Sequence, residues 1–275
     1  MYQLNQESFV HLLHHIAPHI TTRVKTTTPI PPMTKLLTVL HMLASESFQI
    51  TGAQLAGVSQ PSFLVLLPKV LDASIRLTPD ICFPNTQRLQ QEAKKGFYQI
   101  AGFPHVLGAM DCTHVQLVPP AAKERLYRNH KHTHPINVQD IVDHCGLFTN
   151  IVAKKSATLH DACIFCHSTI NERFQDGQYG NGLLIADQGY SIQPWVMTPF
   201  ANPTTVEECA YNKGHRRICN VVERAFGLLK SRFRCLALTK GSLLYAPPLV
   251  KDAWTLSVYC TFTGLFTGNV EKYDT

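Results

Sequence analysis

VLGAMDCTHVQLV, residues Val106–Val118, marks a change of period in this chain. Just before it, RLQQEAKKGFYQIAGF (Arg88–Phe103) repeats its apolar groups at helical spacing and stops at Gly102 and Pro104. From Val106 the period falls to two, as in a strand, and one carboxylate, Asp111, sits inside the otherwise apolar run. Working outward, Ile136–Asp143 and Leu147–Ala153 are expected to be two more strands, joined by a turn at His144, Cys145 and Gly146. Leu159–Arg173 returns to helical spacing, Leu183–Ala186 is a short buried strand, and Asp187 follows at its end.

Further along, NVVERAFGLLKSRFRCL (Asn220–Leu236) has the spacing of a helix. Val222, Phe226, Leu229 and Phe233 recur at i, i+4, i+7 and i+11, one apolar stripe that must face a core. One residue round, Glu223, Gly227, Lys230 and Arg234 keep the same spacing, so a lone carboxylate shares its face with a glycine and two cations. The chain thus runs strand with internal Asp, two strands, helix, strand ending in Asp, irregular segment, helix with Glu. That is the order of a ribonuclease-H-like α/β domain, a mixed sheet with flanking helices. In that fold the first and fourth strands lie side by side, so Asp111 and Asp187 are expected to meet at the sheet's edge, with Glu223 brought over them.

Three converging carboxylates suit phosphodiester cleavage. The reaction needs an activated water and a neutralised leaving oxygen, which two Mg²⁺ or Mn²⁺ ions about 3.5–4 Å apart supply. Such hard cations take oxygen ligands, and the clustered acids repel one another without them. Asp111 is then expected to bridge the ions, with Asp187 and Glu223 each holding one. Each acid also has a simpler reading. Asp111 can bond its own strand neighbours, Asp187 can cap a turn, and Glu223 can pair with Arg224 or Lys230 for ~0.3–0.5 kcal/mol. His160 and Asp161 open the next helix, where a carboxylate is favoured by the helix dipole and could equally serve as a further ligand. Cys163 and Cys166 lack a second pair to complete a zinc set and are expected to be buried helical thiols. The loop YRNHKHTHP, with Arg128, His130, Lys131, His132 and His134, is suited equally to phosphate contact and to solvation.

The remainder of the chain sets the context. Hydrophobic residues make up 45%, enough for an ordinary core, while charged residues are only 16% and the formal net charge is +6. The surplus is therefore local. Lys213, Arg216, Arg217, Arg224, Lys230, Arg232, Arg234 and Lys240 lie together with Glu223 as the one acid among them, a bias suited to a polyanion; Arg216, Arg217, Lys230, Arg232 and Arg234 are the expected DNA contacts. Nine scattered cysteines fit reduced thiols rather than a disulfide scaffold. No stretch reaches ~18 uninterrupted apolar residues and residues 1–20 lack a basic run followed by an apolar one, so neither secretion nor membrane insertion is expected. Residues 1–100 are expected to be helical, with a helix-turn-helix-like unit at about 33–76: helices at Met33–Ser45, Gly52–Gln60 and Pro61–Ile75, a turn at Gly57 and Ser59 as N-cap. Lys69 is the one cation of the third helix, which serves a structural bundle as well as it serves a DNA reader. Residues 101–275 are expected to form the ribonuclease-H-like domain.

Beyond element order, the chain resembles the PIF/Harbinger transposases of the DDE superfamily. KKGFYQIAGFPHVLGAMDCTHVQL, INVQDIVDHCGLF, LHDACIF, LLIADQGY, WVMTPF, YNKGH and VVERAFGLLKSRFRCL carry the likeness, which spans roughly Thr34–Ser257. The resemblance implies a ribonuclease-H-like metal-dependent nuclease with Asp111 and Asp187 as its two aspartates, Glu223 as its glutamate and Asp161 as an additional metal ligand. It also implies DNA as substrate, a Myb/SANT-like DNA-binding partner, and location in the nucleus, with the cytoplasm as a second site; self-association stays open. Ser156, Ala157 and Thr158 replace the family's usual Pro-Gly-Ser, and Phe262, Thr263 and Gly264 its usual Leu-His-Asn. The alternative reading is a catalytically silent, domesticated transposase acting as a DNA-binding or adaptor protein beside that partner.

Overall fold

The computed structural model describes residues 4, 6–21, 29–45, 57–74, 76, 81–116, 135–154, 161–237 and 247–269. The chain divides into two compact units: Met1–Asp80, Val115–Ala122 and Leu228–Thr275 form one, Ile81–His114 and Lys123–Gly227 the other. By compactness, then, the C-terminal residues group with the N-terminal helices, and 81–100 group with the sheet. The expected division near residue 100 follows sequence order instead.

The first unit is helical. It contains α1 (Gln6–Ile20), α2 (Pro32–Ser45), α3 (Gln60–Ser74) and a C-terminal helix, Pro247–Asn269, that packs on α1 and α3. Leu12, Ile16, Leu36, Leu40, Phe63, Leu67 and Trp254 are sealed from solvent. Each such side chain contributes about 1.5–3 kcal/mol by leaving water. Lys35 is buried because its ammonium has a partner: Nζ donates to the carbonyl of Ile20 at 2.7 Å, capping the last residue of α1. α3 starts as expected, with Gly57 at φ 63°, Pro61 in the first turn and the Ser59 hydroxyl accepting from the Ser62 N–H at 3.4 Å. Most of the expected middle helix, Gly52–Gln60, lies outside the described residues.

The second unit holds the sheet. α4 (Gln87–Ala101) is capped by Thr86 and closed by Gly102 at φ 73°, and it leads into β1 (Val106–Gln116). β2 (Pro135–Val142), β3 (Phe148–Lys154), β4 (Leu183–Ala186) and β5 (Val196–Met197) complete a sheet of order β3-β2-β1-β4-β5. β2 and β3 are antiparallel; β1 with β4 and β4 with β5 are parallel. The first and fourth strands are neighbours, as the element order requires. A core of Met110, Ile141, Phe165, Phe174, Leu184 and Tyr190 is buried in this unit. The fold is the mixed, helix-flanked sheet of a ribonuclease-H-like domain.

Four expectations are corrected. Leu159–Arg173 is two helices, α5 (Asp161–Cys166) and α6 (Thr169–Gln175), because Ser168 intervenes as an N-cap and its hydroxyl accepts from the Asn171 N–H at 3.2 Å. The irregular segment after Asp187 contains β5, too short for its period to be read. The Glu223 helix, α7, runs from Val206 to Arg232 and so begins well before Asn220. Its start is a capping box: the Glu208 N–H donates to the Thr205 hydroxyl at 3.1 Å, and the Glu208 carboxylate accepts the Thr205 N–H at 3.1 Å. Arg234 falls beyond α7, in a 3-10 turn, so the polar stripe ends at Lys230. The apolar stripe is as expected, with Val222, Phe226, Leu229 and Phe233 all buried. The C-terminal helix Pro247–Asn269 is α8. Among the described residues no helix is long and apolar enough to cross a membrane.

Candidate active site

The parallel ladder of β1 and β4 positions two acids. Met110 and Ala186 are register partners, so Asp111 and Asp187 are the next residues on adjacent strands. Asp111 is half-buried and one of its oxygens accepts the N–H of Cys112 at 2.7 Å. Asp187 is exposed and accepts the N–H of Gly189 at 3.1 Å, so it also shapes the turn after β4. Both local bonds are those of the simpler readings; Asp111 lies within β1 and Asp187 just past the end of β4.

The third acid comes from α7 together with two residues that the sequence reading passed over. His215, Cys219 and Glu223 are spaced by four and lie on one helical stripe. His215 is buried and its Nε2 donates to the carbonyl of Ala186 at 3.0 Å and, more weakly, to that of Met197 at 3.4 Å. Carbonyls only accept, so Nε2 carries the proton. Burial lowers the imidazole pKa, partly opposed by the two carbonyls and by Asp187, and the ring is neutral. Its Nδ1 is therefore an acceptor, 3.6 Å from the Cys219 sulfur. Cys219 is itself pushed up to about 12, first by burial and then by the charges of Asp111, Glu223 and Asp187. One thiol feels the carboxylates of β1, the β4 turn and α7 at once.

This is a region of negative potential bordered by hard oxygen donors, the chemistry that a divalent ion with oxygen ligands requires. The three acids are not drawn around a single point: among the described residues, the one trio of His, Cys, Asp or Glu whose ligand atoms all lie within 4.8 Å of one another is Asp143, His144 and Cys145. Two ions some 3.5–4 Å apart spread their ligands wider than one ion does. Asp161 opens α5, and its side chain lies outside the described residues.

The other candidates divide. Arg216, Arg217 and Arg234 are exposed, whereas Lys230 and Arg232 are half-buried, and Arg232 Nη1 donates to the Thr261 carbonyl at 3.2 Å. Arg224, on the helix beside Glu223, donates to the Asn220 carbonyl. Cys163 and Cys166 are not the buried pair expected: the first is half-buried and the second exposed, because the short helix α5 covers so little of itself. Lys240, the histidine loop at 128–134 and Ser156–Thr158 lie outside the described residues, as do the side chains of Phe262, Thr263 and Gly264.

A five-stranded mixed sheet of this order with flanking helices is that of a ribonuclease-H-like domain. Residues 110–258 match the family described as "DDE superfamily endonuclease", and the chain belongs to that family. It is 31% identical over 248 residues to "Putative nuclease HARBI1" of Homo sapiens and of Bos taurus, covering 90% of this chain and 71% of either relative. It is also 25% identical to "Protein ALP1-like" of Arabidopsis thaliana, over 53% of this chain and 40% of that protein. No solved structure matches the chain.

Proposed function

We propose that this protein is a divalent-metal-dependent DNA nuclease that hydrolyses phosphodiester bonds by a two-metal mechanism. The observation that supports the reading most is the β1–β4 register, which sets Asp111 beside Asp187, together with the His215 bond that ties the Glu223 helix to the carbonyl before Asp187. Asp111 would bridge a pair of Mg²⁺ or Mn²⁺ ions, Asp187 and Glu223 would each hold one, and Asp161 would add a ligand. When bound, the ions supply a water acidic enough to attack and neutralise the departing oxygen. The chain's own residues do the positioning. His215 ties α7 to the carbonyl preceding Asp187, and Arg216 and Arg217 offer exposed cations to phosphates. Gly227, one turn after Glu223, has nothing within 4 Å of where a Cβ would stand, which leaves room for a backbone phosphate.

Plasmid or end-mimicking duplex DNA incubated with Mn²⁺ or Mg²⁺ tests the proposal. Cleavage in the native chain and a loss of ~10²-fold or more in Asp111→Asn and in Glu223→Gln are expected. Equal activity in both variants would sink the assignment.

A second reading, a DNA-binding adaptor working with a Myb/SANT-like partner in the nucleus, draws support from α3. Its one cation is Lys69, while Leu64 and Val65 are 48% and 59% exposed, a surface better suited to protein than to phosphate. Melting with and without Mn²⁺ separates the two readings. Ions at 100 Kd that bind the native state raise its stability by ~2.7 kcal/mol, and a nuclease shows that shift while a silent adaptor does not.

A further inference from the structure

The turn between β2 and β3 carries a cluster that plays no part in the nuclease reading. Asp143, His144 and Cys145 present a carboxylate oxygen, an imidazole nitrogen and a sulfur, all within 4.8 Å of one another. A tetrahedral Zn²⁺ with bonds of about 2.0–2.3 Å spaces its ligands roughly 3.3–3.8 Å apart, close to the separation these atoms already have. The mixture of donors also discriminates. Sulfur and imidazole favour zinc-class ions over Mg²⁺ or Mn²⁺, the opposite of the all-oxygen set at Asp111, Asp187 and Glu223.

Two further observations point the same way. His144 Nδ1 is buried and, among the described residues, has no hydrogen-bond partner, while the adjacent Asp143 carboxylate attracts positive charge to the same turn. The ring is also held in place: it lies directly over Gly96 of α4, where any Cβ would collide with it, and edge-on to Phe97 at 6.1 Å. Asp143 is fixed as well, one oxygen accepting the N–H groups of Cys145 and Leu147, each at 2.8 Å. Cys145 is exposed, so an ion can reach the site from solvent.

We propose that Asp143, His144 and Cys145 form a Zn²⁺ site on the β2–β3 turn, distinct from the carboxylates of β1, β4 and α7. It stands whether or not the nuclease reading does.

Co²⁺ is the spectroscopic probe. Titrated into the full-length, metal-stripped chain, it should produce a thiolate-to-metal charge-transfer band that Zn²⁺ bleaches, that Cys145→Ser abolishes, and that Asp111→Asn with Glu223→Gln retains. No band in the native chain overturns the proposal, and so does a band that survives Cys145→Ser, which would place the sulfur elsewhere. Loss of the band in the double variant would overturn it too, by assigning the ion to the acids. A second measurement needs no variant. Zn²⁺ at ~10 Kd should slow alkylation of Cys145, followed on its own peptide, by about tenfold, and an unchanged rate refutes the site.

Discussion

His215 and Ala186 are joined by a 3.0 Å hydrogen bond from the imidazole Nε2 to the carbonyl that immediately precedes Asp187. A histidine of α7 therefore secures the strand end from which the second aspartate emerges. His215→Ala should cost about 1–3 kcal/mol by leaving a buried carbonyl unpaired, lowering the melting temperature. Metal-dependent cleavage should fall further than stability alone explains, and His215→Gln, which keeps a donor, should recover part of both. Melting and cleavage measured on the two variants check this, and equal losses in both would show that the donor is immaterial.

How far Asp111, Asp187 and Glu223 act on one point can be measured without activity. Cys219 is pushed up to about 12 by burial and then by Asp111, Glu223 and Asp187, so it should resist alkylation at neutral pH. Asp111→Asn and Glu223→Gln should each lower that pKa and speed labelling of the Cys219 peptide severalfold at mildly alkaline pH; each pKa unit is ~1.4 kcal/mol of interaction. Burial is untouched by these changes, so labelling stays slower than at an exposed thiol. A Cys219 rate indifferent to both substitutions would mean that the carboxylates do not meet there.

Gly227 separates stability from function. It sits inside α7 with open space beside it, so Gly227→Ala should stabilise the helix by ~0.5–1 kcal/mol. If the space next to Glu223 admits a phosphate, the same methyl lowers DNA cleavage. Higher melting with unchanged cleavage would show that DNA does not approach there.

In the helical unit, Asp252 gives stability a pH dependence of its own. It is 7% exposed, and burial followed by the nearby Asp72 raises its pKa from 3.8 to about 6. The folded chain then holds this proton more tightly than the unfolded chain. The resulting stability is fully present below about pH 4 and is lost as pH rises through about 6. Asp252→Asn should therefore stabilise the protein by about 1–2 kcal/mol at neutral pH and by nothing below about pH 4, a difference visible in denaturant melts across that range.

What could be read from sequence depended on how local each signal was. The switch to period two at Val106, the alternation through β2 and β3, and the buried stripe from Val222 to Phe233 are properties of single segments, and all appear in the structure. Asp111 and Asp187 could be paired because the order of elements dictates which strands adjoin. His215 and Cys219 precede Asn220, where the apolar stripe of α7 becomes regular, so their spacing of four with Glu223 shows only once the helix is known to start at Val206. Thr205 and Glu208 carried the missing boundary, since a Thr three residues before a Glu is a helix start. Ser168 likewise announces the break between α5 and α6. Donation from Arg232 to the carbonyl of Thr261, by contrast, joins residues 29 apart and leaves no trace in any local pattern.

The helical unit is assembled from segments on either side of the sheet unit in sequence, with α8 laid against α1 and α3. On the ribosome these partners are made at different times. The helices before Asp80 emerge first, and Leu228–Thr275 follow only after the intervening residues have been translated, a delay of roughly 10–30 s at 5–20 residues per second. Over that interval the nascent α1 and α3 carry apolar faces that their last partner has not yet covered. The sheet unit, contained within Ile81–Gly227, can be complete before then. The helical unit is therefore completed only after the sheet unit that interrupts it in sequence has been made.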